Sequence, residues 1–203
     1  MEIKQRIIEE SFQMFVRFGI RSVTMDDIAK SMGVSKKTIY EHFEHKEDLL
    51  CQCINYHKSL QDTRINEIKK SSENVLETIY KIMYEAVSNM QKVNPAFLAD
   101  LRKYHYKLCE ELMPRHEQQQ VEEALALFEQ GVADGIFRDD IDLKIAAIVL
   151  NKQLKTMSDE NVFVAENISV IDAFKTIILI FTRGMATTKG LEIIDRILKQ
   201  NES

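Results

Sequence analysis

Only 2 prolines and 6 glycines interrupt 203 residues, so the chain has few places to turn. Such a scarcity of breakers favours helices over a turn-rich sandwich. The apolar residues repeat at matching spacing. Ile3, Ile7, Ile8, Phe12 and Phe15 share one face of a first segment that ends at Phe18-Gly19, with Gly19 suited to a helix C-terminus. Neither an internal repeat nor an alternating strand pattern of useful length occurs. The expectation is an all-α chain.

Capping residues punctuate the rest. Thr24 opens a short helix whose first turn holds Asp26 and Asp27, acids that suit the positive end of the helix dipole. Ser35 caps a third helix, Lys36 to about Phe43, and Lys46 starts a fourth with Leu49, Leu50, Cys53, Ile54 and Leu60 as its apolar stripe. Ser72 is read as the cap of the next helix and Asn94-Pro95 as a cap followed by proline at the first helical position. Pro114 is read as a boundary before the stripe Val121, Leu125, Phe128 and Val132. Gly135 to Asp140 is a loop, Asp142 opens a helix to about Met157, and Ser158 to Asn167 is a polar connection. Ser169 caps a helix to about Thr187, and Leu191 to Lys199 forms a last short one.

Charge and cysteine content narrow the class. Lys+Arg number 27 and Asp+Glu 32, a net charge of -5, which taken alone argues against a nucleic-acid binder. Hydrophobic residues at 45% and charged residues at 29% are enough to build a core, which excludes disordered and low-complexity classes. Three sparse cysteines, Cys51, Cys53 and Cys109, make no disulfide framework and point to a reducing, cytoplasmic setting. Cys51 and Cys53 with His42 and His45 are either plain thiols and histidines or a zinc site, and no metal or other cofactor is expected. The opening Met1-Glu2-Ile3-Lys4-Gln5 does not read as a secretory leader. The longest apolar runs, Ile145 to Leu150 and Ile177 to Phe181, are too short to span a bilayer, so no membrane partner is expected.

Those two runs are apolar on every side, and a helix apolar all round must be buried all round. Either they form a central pair in a monomer, or a second subunit covers them. A symmetric homodimer is expected, with Ile145, Ile148, Val149, Ile177, Ile178 and Phe181 at the interface.

Residues 24 to 46 carry the functional pattern: a short helix, a glycine turn and a second short helix, which is a helix-turn-helix. Ala29 is small where the two helices approach, Gly33 tolerates the turn, and Val34 and Ile39 lock the second helix onto the first. The exposed face of that second helix then presents Ser35, Lys36, Lys37, Thr38 and Tyr40, suited to a major groove.

This stretch resembles the tetracycline-repressor (TetR) family of bacterial transcriptional regulators. The resemblance lies in Thr24, Ile28-Ala29, Gly33-Val34-Ser35, Ile39-Tyr40, His42-Phe43, Lys46 and Leu49-Leu50, with Phe15 and Gly19 fitting the family's first helix. It covers about the first quarter of the chain. It implies a three-helix DNA-binding domain over residues 1–48 and a larger helical domain over 49–203 that dimerises and binds a small molecule.

On that likeness Thr24 contacts a phosphate, and Ser35, Lys36, Lys37 and Thr38 reach base edges or backbone in the groove. Tyr40, His42 and Lys46 contact phosphates, although Tyr40 also suits packing and His42 a helix C-terminus. Lys37 departs from the small residue or proline that many members carry there; a long cation either reads a base or strengthens non-specific binding. The partners implied are a near-palindromic duplex operator, a second copy of the chain and an unknown small-molecule effector, whose binding releases a repressor from its operator. Met and aromatic residues suit an adaptable pocket, and the candidates for its wall are Tyr80, Met83, Tyr84, Phe97, Tyr104, His105, Cys109, Met113 and Phe128.

Two other readings stand beside this one. The first is a DNA-binding protein without a ligand switch, acting through a protein partner. The second is an enzyme, which the chain does not support: it has no Gly-rich phosphate loop, no Gly-x-Ser-x-Gly elbow and no His-Glu-x-x-His pair, so no catalytic residue is assigned. Residues 1–50 hold 8 cations and 9 anions, so the DNA-binding reading rests on where the lysines sit rather than on net charge.

Overall fold

The computed structural model describes residues 2–156 and 168–201, and the side chains of 2–105, 117–156 and 168–200. Ten helices occur among the described residues. They are α1 (Ile3–Phe18), α2 (Met25–Met32), α3 (Lys36–Tyr40), α4 (Lys46–Ser71), α5 (Val75–Met90), α6 (Pro95–Tyr104), α7 (Tyr106–Ala133), α8 (Leu143–Thr156), α9 (Val170–Met185) and α10 (Thr188–Asn201). The extended pairing among the described residues is an isolated antiparallel bridge, Phe137 with Ala186. The all-α architecture with an N-terminal helix-turn-helix is as expected.

The helices group into two compact units. The first comprises Met1–Asn66 and Asn89–Met113, the second Glu67–Ser88 and Pro114–Ser203. The division falls elsewhere than the 48/49 boundary because Leu49, Leu50 and Cys53 of α4 and Phe97 of α6 are buried with Ile7, Phe15, Ile28 and Ile39 in one core. Burying side chains of this size contributes about 2 kcal/mol each, so α4 and α6 are part of what stabilises the first unit. The second unit has its own core, built around Leu76, Tyr80, Met83, Phe128, Phe137, Ala147, Ile178 and Ile194.

Most starts follow the capping logic. The Asn94 carboxamide accepts the Ala96 N–H at 2.8 Å, with Pro95 at the first helical position. Asp142 accepts the Ile145 N–H at 3.0 Å, and Ser169 accepts the Asp172 N–H.

Four expectations are corrected. Asn74, not Ser72, caps α5: its oxygen accepts the Glu77 N–H at 3.0 Å, while the Ser72 hydroxyl turns back to the Ile68 carbonyl. Pro114 does not end a helix; α7 runs through it, the helical break lies at His105, and Pro114 instead marks where the compact units change. α3 stops at Tyr40 rather than Phe43, because Phe43 is drawn into the core at 1% exposure. The last helix begins at Thr188, whose neighbour Thr187 accepts the Gly190 N–H through its hydroxyl. The polar connection expected at Ser158 to Asn167 lies outside the described residues.

Candidate nucleic-acid interface

α2 is held by a reciprocal cap. The Thr24 hydroxyl accepts the Asp27 N–H at 3.1 Å, and the Asp27 carboxylate accepts the Thr24 N–H at 2.9 Å. The same hydroxyl donates to that carboxylate at 2.6 Å. These bonds to Thr24 hold the Asp27 carboxyl below its usual range. α2 then buries Ile28 and Ala29 and ends at Gly33, whose φ of 67° is the left-handed conformation that favours glycine. The Gly33 and Val34 N–H groups close the turn on the Lys30 and Ala29 carbonyls.

α3 follows at once. The Ser35 hydroxyl accepts the Thr38 N–H at 3.1 Å and contacts the Thr38 hydroxyl at 2.9 Å. Ile39 is fully buried and anchors the helix, which turns Lys36, Lys37 and Tyr40 outward. Lys37 is the extreme case, with 87% of its side chain exposed and Glu41 at 4.0 Å. Lys36 behaves differently: its ammonium donates to the Asp26 carboxylate at 2.8 Å, a bond that raises its pKa. Tyr40 is 46% exposed. Thr38 and His42 are half-buried, and the His42 ring lies 6.4 Å from that of Phe43. Ser35, Lys36, Lys37, Thr38 and Tyr40 thus sit together on one short helix.

Lys46 also has a partner within the protein. Its ammonium donates to the Ile20 carbonyl and lies 5.8 Å above the Phe15 ring. Desolvation lowers its pKa, opposed by Asp100 and Asp27. In this position Lys46 ties the start of α4 to the α1–α2 turn. Sequence reasoning also missed His45, whose Nδ1 accepts the Asp48 N–H at 3.0 Å and caps α4. Cys53 is a core thiol that donates to the Ile8 carbonyl, and burial pushes its pKa up to about 12.

The expected effector wall does not gather within one unit. Tyr80, Met83, Tyr84 and Phe128 belong to the second unit. Phe97, Tyr104 and His105 belong to the first and are committed there. Phe97 packs edge-on against Phe12 at 6.1 Å. Tyr104 accepts from the Arg21 guanidinium at 2.8 Å, and His105 Nδ1 lies 3.3 Å from Glu47. The Cys109 and Met113 side chains lie outside the described residues. A cleft of about 500 Å³ does open in the second unit, and Tyr80 and Tyr84 line it with Glu73, Glu77, Lys81, Ile193, Arg196 and Ile197.

The two all-apolar runs are buried on one side only. α8 buries Ala146 and Ala147 but leaves Ile145 59%, Ile148 40% and Val149 41% exposed. α9, packed against it, leaves Ile180 66% exposed. Ile178 was expected at an interface; it is 6% exposed and belongs to the chain's own core. Phe181 and Ile177 are half-buried, and the Phe181 ring stacks on Phe128 at 6.4 Å. Ile180, absent from the expected set, is the most exposed of these side chains because it turns away from the Phe174–Ile178 side of α9. No helix among the described residues is long and apolar enough to cross a membrane.

A short helix, a left-handed glycine and a capped second helix with its polar face outward define a helix-turn-helix protein. Residues 7–53 match the family described as "Bacterial regulatory proteins, tetR family". Over that N-terminal stretch the chain is similar to the TetR family. It is 29% identical over 103 residues to the uncharacterized HTH-type transcriptional regulator YvaF of Bacillus subtilis, a match covering 50% of this chain and 54% of that one. The match thus spans about half the length of that curated relative. It is 22% identical over 142 residues to the HTH-type transcriptional repressor KstR2 of Mycobacterium tuberculosis, covering 68% of this chain and 71% of that one. Among solved structures, a transcriptional regulator from Cytophaga hutchinsonii superposes with a TM-score of 0.75 at 15% identity, covering 90% of this chain and 98% of that one, a likeness of fold. The two curated relatives are described as a transcriptional regulator and a transcriptional repressor.

Proposed function

We propose that the chain is a sequence-specific DNA-binding transcriptional regulator, acting as a homodimeric repressor that a small-molecule effector releases from its operator. The observation that carries this reading is the presented face of α3. Ile39 is buried beneath it, Ser35 caps it, and Lys36, Lys37 and Tyr40 face outward. A helix so held can enter a major groove with its N-terminal residues toward the base edges, and lysine bonded to guanine is a common specific contact. The repressor sense follows the printed name of KstR2.

The dimer rests on Ile145, Ile148, Val149 and Ile180. Together on two packed helices they form an apolar surface of the kind that monomers rarely leave to water. Two copies meeting there would each bring one α3, which calls for a near-palindromic operator with half-sites about one helical turn apart or a little more. The effector reading rests on the second-unit cleft, whose wall mixes Tyr80, Tyr84, Ile193 and Ile197 with Arg196, Glu73 and a Lys81–Glu77 ion pair and so suits a small molecule with both apolar and polar parts. α4 changes compact unit at Asn66, which makes it the natural lever between effector and DNA-reading parts.

Hydroxyl-radical footprinting on a duplex enriched by the protein from a randomised pool tests the reading. Two protected patches about one turn apart are expected. A single patch, or no enrichment, contradicts it.

A further inference from the structure

The DNA-reading face contains an acid that the α2 cap does not use. Asp26 and Asp27 both lie in the first turn of α2, but only Asp27 takes part in the cap with Thr24. Asp26 instead extends to α3, where its carboxylate accepts from Lys36 Nζ at 2.8 Å. Both side chains are largely open to water, 64% exposed for Asp26 and 51% for Lys36. A surface pair of this kind adds little to folding stability. Lying beside a face meant for a polyanion, the carboxylate also opposes attraction to phosphate. Asp26 adds only the modest helix-dipole stabilisation of any first-turn acid, so its pairing with Lys36 acts chiefly on how the lysine meets DNA.

We propose that Asp26 is a specificity-determining residue of the DNA-reading face, one that pairs with Lys36 to make a neutral hydrogen-bond donor. This rests on the DNA-binding reading above and deepens it. A lysine ammonium has three N–H donors, and Asp26 occupies one. The other two remain available to the O6 and N7 acceptors of a guanine edge. The pair carries no net charge, so it releases no counterion on approaching a phosphate backbone. Lys36 therefore contributes where a base edge presents acceptors at the right place and adds little on any other duplex. Lys37, with its loose 4.0 Å approach to Glu41, keeps the ordinary role of a cation that binds every sequence. The two adjacent lysines divide the work, and Asp26 makes the difference between them. An acid that weakens binding to all wrong sites serves specificity as directly as a contact that strengthens the right one. This matters in a segment whose net charge is already slightly negative, where non-specific attraction is weak.

The test compares wild type with Asp26→Asn on two duplexes of equal length, one enriched by the wild-type protein from a randomised pool and one of random sequence, each titrated across a range of salt concentrations. For Asp26→Asn, affinity for the random duplex should rise, and its salt dependence should steepen by about one phosphate contact per subunit. The ratio of enriched to random affinity should fall roughly fivefold to tenfold, the size of one base-reading contact. Glu41→Gln, which removes a nearby acid but leaves Lys36 paired, should keep most of that ratio. A ratio unchanged in Asp26→Asn overturns the proposal, as does an equal loss in Glu41→Gln, which would make the effect one of net charge alone. If wild type binds neither duplex, the DNA-binding reading itself fails and the role of Asp26 falls with it. Matching circular dichroism and melting of the variants confirm that a change in salt slope belongs to binding.

Discussion

The Thr24 hydroxyl and the Asp27 carboxylate satisfy each other's backbone N–H groups, at 3.1 and 2.9 Å, before any DNA arrives. The Thr24 hydroxyl and backbone N–H are thus both engaged in the cap of α2. Thr24→Ala should cost about 1 kcal/mol of stability in urea unfolding. Asp27 adds a pH dependence of known sign. Its pKa is lowered in the folded state, so its contribution is complete above the unfolded value near 3.8 and is lost as pH falls through the lower folded one. Asp27→Asn should flatten that acid limb; an unchanged limb would remove Asp27 as its source.

Gly190 lies beneath the loop that ends in Phe137. A Cβ at this position would sit 2.4 Å from the Ile136 carbonyl oxygen and 3.0 Å from the Ala186 Cβ. The obstacle is backbone, which cannot swing aside. Gly190→Ala should therefore destabilise the protein by about 1–3 kcal/mol, read as a lowered denaturant midpoint with an unchanged slope. A variant as stable as wild type would show that the α9–α10 junction yields more easily than its packing suggests.

His57 of α4 stacks on Phe12 of α1 with ring centroids 3.4 Å apart, and its buried Nε2 has no hydrogen-bond partner. Desolvation lowers its pKa, with Glu9 pulling the other way. In the unfolded chain the imidazole titrates near 6.5. The unfolded state therefore binds more protons between the two values, and stability falls as pH drops through that window while remaining complete above it. His57→Phe should keep the stack and lose this slope, measured by denaturation at about pH 7.5 and about pH 5.5. A variant that retains the full slope would clear His57 of responsibility.

Much of this fold is legible from local chemistry. Thr24, Ser35, Asn94, Asp142 and Ser169 each accept the N–H that their residue type leads one to expect, because a cap is decided within three residues. The helix-turn-helix is legible for the same reason, since Gly33 and Ile39 act on near neighbours. The destination of α6 is not. Periodicity marks Phe97 and Tyr104 as apolar without saying that they meet Phe12 and Arg21, more than eighty residues earlier. The α9 surface shows a related limit: a run apolar all round does not reveal that Ile178 turns inward and Ile180 outward. The bond from Lys46 to the Ile20 carbonyl was not legible, because its acceptor lies twenty-six residues away in the α1–α2 turn.

The exposed isoleucines supply an independent check on the assembly. Ile145→Asp with Ile180→Asp adds charge to two side chains that are 59% and 66% exposed in the chain by itself, so the fold should survive. Sedimentation should show wild type as a dimer and the variant as a monomer. An unshifted dimer would locate the interface elsewhere.

Binding by wild type and by the Lys36→Ala, Lys37→Ala double variant, titrated by fluorescence anisotropy on the enriched duplex, bears most directly on the role of α3. The double variant should lose roughly tenfold to a hundredfold in affinity, the scale of one base-edge contact at Lys36 and one phosphate contact at Lys37, while its oligomeric state and melting stay as in wild type. Equal affinity for the two proteins would contradict the assignment of α3 as the element that reads DNA.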